Sequence, residues 1–392
     1  MLRDKMQAII KEVNECVSER AELIECIAIA LLTKKNLFVL GDTGQAKSYA
    51  INEFRKRITD AKQFERLLSK QTDEEALFGR LDLKSLIDGQ PRMITTGKIP
   101  DSHIVYLDEI FKSNEGVLNS LLTALNERRY TNESETVDIP VISFMSASNE
   151  IPNFNDPAEA ILKPLYDRFD LKVVTRYIDS REARLKMLRK KQGGQAVTPT
   201  ATIDLPCLYA MQQEVTLVSV PDAVNELMDD ILCELRRQKL HISDRKYLNY
   251  YPIVQAKAWL EGRSEVIYTD LLALKNYLWT NPEEADTIAQ TLERLCVNPI
   301  QEKLHDIISI ANECYDTFLT TAKDSRALRT IRTELLRSYA LVQETEAHSE
   351  ALNDTERASI ASATERLEEL SKQAHDCAGF TYTPLAELAK LQ

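Results

Sequence analysis

Asn36-Leu37-Phe38-Val39-Leu40-Gly41-Asp42-Thr43-Gly44-Gln45-Ala46-Lys47-Ser48 is the stretch whose reading decides the fold. Its first five residues are an apolar run of strand length, and Tyr49 to Arg55 beyond it reads as a helix. Strand, glycine-bearing turn, Lys-Ser and helix together form the context of a phosphate-binding loop. In such a turn successive backbone N–H groups point inward, and the helix N-terminus adds the positive end of its dipole. Lys47 is placed to reach the β- and γ-phosphates of a nucleotide, and the Ser48 hydroxyl to ligate Mg²⁺. The expected nucleotide-binding residues are therefore Gly41, Asp42, Thr43, Gly44, Gln45, Ala46, Lys47, Ser48 and Tyr49. One position departs from G-x-x-x-x-G-K-[ST]: Ala46 stands where the second glycine belongs. A methyl group is tolerable there if the residue keeps a negative φ.

Some sixty residues downstream, His103-Ile104-Val105-Tyr106-Leu107 is a second apolar run, and it ends in Asp108-Glu109. Parallel strands buried on both faces read as continuous apolar runs, and their ligands sit at the C-terminal ends. Asp108 would hold Mg²⁺ through water, and Glu109 would orient and deprotonate an attacking water. Alone, an acid pair after an apolar run is an ordinary helix cap; downstream of a phosphate loop it reads as a hydrolytic pair. A third run, Val141 to Ala147, ends in Ser148-Asn149, where Asn149 is placed to hydrogen-bond the water or the γ-phosphate. Phe169 to Thr175 reads as a last strand.

The rest of the chain organises around these runs. Residues 2–20 place Met6, Ile9, Ile10, Val13, Cys16 and Val17 on one helical face, and residues 21–33 form a second helix. Phe64–Leu68 is a short apolar run. Gln71 to Pro100, punctuated by Gly79, Asp88-Gly89 and Thr96-Gly97, reads as an insertion of strand-like segments around a short helix and a turn. Residues 114–128 are an amphipathic helix, and Arg129 to Pro140 a hairpin with Asn132-Glu133-Ser134-Glu135 at its tip. Ile161 to Tyr166 and residues 180–192 read as helices, and Gly193 to Thr200 as a flexible connection. Asp204 to Trp279 is helical throughout, with Ser243 or Asp244 capping a helix that carries Arg245. Asn281-Pro282 closes that block, and residues 283–378 hold three long helices broken near Ala322-Lys323-Asp324 and Asn353-Asp354. The expected plan is an α/β nucleotide-binding core over 1–192, an α-helical lid over 193–281 and a C-terminal helical domain over 282–392.

Composition narrows the function. With 392 residues the chain is long enough for two or three domains. A net charge of −12 argues against binding nucleic acid through bulk charge. The seven cysteines are scattered without C-x-x-C spacing, and with only five histidines there is no zinc signature. Thiols in a reducing cytosol are the simplest reading. No apolar stretch is long enough to span a bilayer, so no direct membrane insertion and a cytoplasmic location are expected.

The order of motifs resembles that of MoxR-type AAA+ ATPases, and within them the RavA subfamily. The resemblance rests on the phosphate loop with its Ala-Lys-Ser ending, the insertion after it, Val-Tyr-Leu-Asp-Glu-Ile-Phe-Lys, Leu-Leu-Thr-Ala-Leu-Asn-Glu-Arg-Arg-Tyr, Ala-Ser-Asn-Glu-Ile-Pro, Leu-Tyr-Asp-Arg-Phe and Ile-Ser-Asp-Arg-Lys. It covers residues 1–281. It implies an AAA+ P-loop core, a parallel sheet between helices, with a helix-2 insert near 79–97 and a pre-sensor-1 hairpin over 129–140. Lys47 and Ser48 would be Walker A, Asp108 and Glu109 Walker B, and Asn149 sensor 1. Arg168 would be the arginine finger reaching a neighbouring subunit, Arg245 the sensor 2 arginine of the lid, and Arg128 a further candidate for action in trans. ATP/ADP and Mg²⁺ are the implied ligands, and a homo-oligomeric, hexameric ring remodelling a protein partner is the implied assembly. RavA-type chains carry a β-rich module within their helical domain; none is visible in 283–392, which leaves a partner bound through such a module without a seat. The alternatives are a nucleotide-gated oligomeric scaffold with little turnover and a chelatase-type motor subunit.

Overall fold

The computed structural model of the chain describes residues 1–87, 92–131, 136–193, 199–297, 299–321, 323–347 and 354–390. The expected hairpin tip at Asn132 to Glu135, the Asp88-Gly89 turn, most of the Gly193–Thr200 connection and Ala322 lie outside those residues.

Five parallel strands form the central sheet: β1 (Leu37–Leu40), β2 (Gln63–Leu67), β3 (Ile104–Asp108), β4 (Ser143–Ser148) and β5 (Leu171–Val174), in the order β5-β1-β4-β3-β2. Four of these are the buried runs expected from the sequence, covered by helices on both faces, with three serines of β4 and Lys172 of β5 buried among their apolar side chains. β2 is the edge strand. Phe64 is its one buried side chain, so its apolar signal was too weak to mark it as part of the sheet. The register sets Leu40 opposite Ser148 and Val174, and Asp108 opposite Ala147. Gly41, Asp108 and Asn149 therefore issue from one edge of the sheet, the C-terminal one.

The helices flanking the sheet are α1 (Leu2–Cys16), α2 (Ala21–Thr33), α3 (Lys47–Arg55) and α4 (Glu115–Glu127), followed by α5 (Arg181–Gln192). α2 is buried from Leu23 to Leu32 almost all round, which is why its sequence is apolar on every face. The insertion before β3 folds as a short antiparallel pair, Arg80–Leu81 against Met93–Ile94, after a one-turn helix Glu74–Phe78 capped by Asp73. Arg129–Thr131 pairs with Thr136–Asp138 in the expected hairpin, and Phe78 stacks on Tyr130 at 4.5 Å.

The helical block after the core contains α6 (Leu205–Thr216), α7 (Asp222–Arg237), α8 (Asp244–Leu248), α9 (Tyr251–Leu260) and α10 (Glu284–Val297). The chain divides into two compact units, Met1–Leu292 and Glu293–Gln392, so the first unit runs past Asn281-Pro282 into α10. The second unit is a bundle of α11 (Pro299–Thr320), α12 (Ser325–Ala347) and α13 (Asp354–Ala378), cored by Leu304, Phe318, Leu335, Leu367 and Leu370. The first of the three expected long helices is thus two helices. Pro299 has no N–H to continue a ladder, but its fixed φ suits a first helical position. Leu385 and Leu388 of the expected tail are buried in the same core on a short helix, Leu385–Ala389. Among the described residues no helix is long and apolar enough to cross a membrane. The seven cysteines are unpaired.

Candidate functional site

The loop from Gly41 to Ala46 leaves β1 and opens α3, as expected. Gly44 takes φ +85°, in the left-handed region. So does Ala46, with φ 58° and ψ 25°, so the negative φ at which its methyl is tolerated without strain is not the one it takes. Placing a Cβ there costs about 1–2 kcal/mol, so neighbouring interactions must hold the loop.

Gln45 supplies them. Its carbonyl accepts from Arg20 Nε at 3.1 Å and Nη2 at 3.0 Å, and its Oε1 accepts from Thr175 Oγ1 at 2.7 Å. Arg20 also donates to the carbonyls of Arg176 and Glu19, each at 2.7 Å. The residue is 6% exposed and has no ion pair among the described residues. Burial lowers its pKa and the Glu19 charge opposes that shift. Gly41 completes the cradle, since a Cβ there would run into Thr175 Oγ1 and Gln45 Oε1. Neither Arg20 nor Thr175 was singled out from the sequence. Each acts through contacts with residues far away in the chain, and the only local signal was their place beside α2 and β5.

Lys47 Nζ donates to the carbonyls of Gly41 and Asp42, the latter at 2.9 Å. Burial lowers its pKa, against the charges of Asp108, Glu109 and Asp42. Ser48 Oγ donates to Asp108 Oδ2 at 3.3 Å and accepts from Tyr106 Oη at 2.7 Å. A hydroxyl from the first turn of α3 and a carboxylate from the end of β3 are hard oxygen donors, a set that fits Mg²⁺ completed by phosphate and water. Burial raises the Tyr106 pKa, which keeps that phenol a donor. Glu109 sits at φ 53°, its N–H held by Ala147 O at 2.9 Å and Asp108 Oδ1 at 3.1 Å. Its carboxylate lies 3.3 Å from Lys112 Nζ. Asn149 is exposed one residue beyond β4, between the phosphate loop and Asp108. Tyr49 lines a cavity of about 310 Å³ with Val17, Ser18, Ala46, Tyr177 and Met187, alongside the phosphate loop.

Arg168 and Arg245 are not part of this cluster. The Arg168 carbonyl accepts from Asn36 Nδ2 at 2.8 Å, at the N-terminal end of β1. Four strand residues, about 13 Å at ~3.3 Å each, separate that point from Gly41. Its guanidinium has no ion pair among the described residues, and its Nε is buried without a hydrogen bond. Arg245 is exposed on α8 and lines a pocket with Lys35, Asn36 and Asp170, again at the N-terminal ends of the strands. Arg128 is turned inward. It donates to Leu125 O at 2.6 Å and Asn36 Oδ1 at 2.7 Å and lies over the Phe144 ring, so it is bound by its own chain and is not available to another. Buried Asn36 thus ties the ends of α4, β4 and the Arg168 turn together with both ends of its amide.

A 5-1-4-3-2 parallel sheet with a phosphate loop on its second strand, an acid pair at the end of its fourth and a helical block behind defines a P-loop nucleotide-binding protein of the AAA+ class. Residues 4–206 match the family described as the MoxR domain in the MoxR-vWA-beta-propeller ternary systems, and residues 221–292 match an AAA lid domain. The chain belongs to the MoxR family of AAA+ ATPases. Two uncharacterized proteins of Methanocaldococcus jannaschii are similar to it. MJ0079 is 32% identical over 290 residues, 74% of this chain and 73% of that protein; MJ0812 is 33% identical over 281 residues, 71% and 72%. A crystal structure of a candidate ATPase from Cytophaga hutchinsonii matches with a TM-score of 0.59 at 18% identity, over 75% of this chain and 94% of that one, a likeness of fold.

Proposed function

We propose that this chain is an MgATP-hydrolysing ring motor that remodels a protein partner. One observation carries the reading. The phosphate loop, Asp108 and Glu109 converge at one edge of the sheet, whereas Arg168 and Arg245 stand unpaired at the opposite edge, too far away to serve their own loop. Two guanidiniums with no ion pair among the described residues, at the edge away from their own phosphate loop, suit the nucleotide of the next subunit. The match to the MoxR domain of MoxR-vWA-beta-propeller ternary systems supports vWA-domain and β-propeller proteins as the partner class. The RavA likeness supports remodelling, on the motif order of residues 1–281.

In this reading Lys47 exchanges its two carbonyl acceptors for phosphate oxygens. Ser48 and Asp108 would hold Mg²⁺, which would neutralise charge on the phosphates. Glu109, its backbone pinned by Ala147, takes the proton of the attacking water and releases Lys112. Asn149 orients that water from the neighbouring strand. A guanidinium supplied in trans stabilises charge spread over the γ-phosphoryl oxygens, worth about 10³–10⁵ in rate. The test is ATPase rate per subunit against protein concentration, with assembly followed by light scattering. A specific rate that climbs as rings form supports completion of the site between subunits. A flat rate from a monomer would leave a nucleotide switch.

A further inference from the structure

α5 is an unusual element for a chain of net charge −12. Its twelve residues include six bases, Arg181, Arg184, Lys186, Arg189, Lys190 and Lys191, against one acid, Glu182. None of its residues is buried. Arg184 caps the Ile178 and Asp179 carbonyls and Lys190 holds Glu15 O, which fixes the helix to the core. Arg181, Lys186, Arg189 and Lys191 have no ion pair among the described residues. Leu185 and Leu188 stand among them, 37% and 52% exposed. A rigidly held helix with an uncovered face of two leucines and four free cations is built to receive something negatively charged.

The complement is on the same chain. α7 turns Val224, Leu227, Met228 and Ile231 inward and presents Asp222, Glu226, Asp229 and Asp230 outward, at the i, i+4, i+7, i+8 spacing of one helical face. Asp222, Glu226 and Asp230 have no ion pair among the described residues. This face is joined to α8, because Tyr247 Oη donates to Asp229 Oδ1 at 3.0 Å. α8 carries Arg245, and beside it Leu248, 66% exposed. α5, for its part, borders the nucleotide site: Arg184 and Met187 line the cavity next to Gly44 and Ala46. The basic helix therefore flanks the phosphate loop, and the acidic face flanks the arginine that must reach a phosphate loop from outside. Two different, complementary patches on one chain give a head-to-tail contact, which closes into a ring when the rotation permits.

We propose that α5 is the docking surface for the next copy of this chain, received on the acidic face of that copy's α7. The inference rests on the ring-motor reading and specifies its interface: the contact that seats α7 on α5 also carries Arg245 to the neighbour's nucleotide.

Charge reversal tests it, using the full chain with MgATP and the sedimentation coefficient as readout. Lys186→Glu with Arg189→Glu sets two acids on α5 against the acids of α7; Glu226→Lys with Asp230→Lys sets two bases on α7 against the bases of α5. Each double variant is expected to assemble roughly tenfold or more weakly than wild type. An equimolar mixture of the two is expected to regain assembly and ATPase together, because each remaining contact then pairs opposite charges; so is the chain carrying all four changes. Recovery in the mixture also shows that both variants are folded. Wild-type assembly should weaken as salt rises from about 0.05 to 0.5 M. If the double variants assemble like wild type, or the mixture fails to recover, the docking proposal is overturned while the ring reading stands on wild-type assembly. If the wild type stays monomeric at all concentrations, both fall. If the Lys186/Arg189 variant assembles normally and loses only binding to duplex DNA or to phosphatidylglycerol vesicles, α5 serves a polyanion and the proposal is likewise overturned.

Discussion

Replacing Arg20 with Met tests whether the phosphate loop is held from behind. The substitution keeps an unbranched stem of similar bulk and removes the guanidinium. The Gln45 carbonyl loses two hydrogen bonds, at 3.1 and 3.0 Å, and the Arg176 carbonyl loses one at 2.7 Å. Hydrogen bonds from a charged donor contribute about 1.5–3 kcal/mol each. Against this, the variant no longer buries a charge that burial already disfavours in the wild type. A net loss of about 2–3 kcal/mol follows, and half of the lost hydrogen bonds fall on the loop itself, two on the Gln45 carbonyl against one each on Arg176 and Glu19. If nucleotide binds only the ordered loop, that energy appears as affinity, roughly 30- to 140-fold weaker binding of MgADP at 1.4 kcal/mol per decade. Isothermal titration calorimetry measures it, with circular dichroism as the check on folding. Arg20→Lys should recover only part of the loss, since one ammonium cannot match the fork of donors that spans Gln45 and Arg176. A folded Arg20→Met protein binding MgADP within about twofold of wild type would refute the reasoning.

Three other outcomes are expected. Glu109→Gln should keep nucleotide binding and lose turnover by about 10²-fold or more, measured by phosphate release; wild-type rates would remove Glu109 from the role of base. Arg168→Ala should bind ATP yet fail to hydrolyse it when assembled, and mixing it with Glu109→Gln subunits should restore part of the rate, which a cis role for Arg168 would not allow. Lys246 is half-buried with its ammonium on the carbonyls of Leu278 and Trp279, and desolvation with the nearby Lys172 lowers its pKa to about 7. The folded state then binds fewer protons than the unfolded one between about pH 7 and the ordinary lysine range, so stability from this group rises with pH across that window. Lys246→Met should flatten that slope in urea denaturation series at pH 7 to 10; an unchanged slope would place the titration elsewhere.

What could be read from the order of residues was the chemistry that is local. Asn36 to Ser48 and His103 to Glu109 each carry strand, turn and functional group within one short segment. A parallel strand buried on both faces also announces itself by an unbroken apolar run. For the same reason β2, with Phe64 as its only buried side chain, did not read as part of the sheet. The φ of Ala46 is not legible locally, because a left-handed alanine depends on what holds the loop from outside, and its neighbour Gln45 is held by Arg20, 25 positions away, and by Thr175, 130 positions away. The motif order was enough to name Arg168 and Arg245 as candidates. Only the folded chain decided that both stand at the N-terminal edge of the sheet, where Arg128 is locked inward on Asn36. Strand order and parallel direction set which edge a residue occupies, and these are fixed by hydrogen bonds between segments remote in sequence. A linear pattern contains the groups of this site, while their division between two edges of the sheet is a property of the tertiary fold.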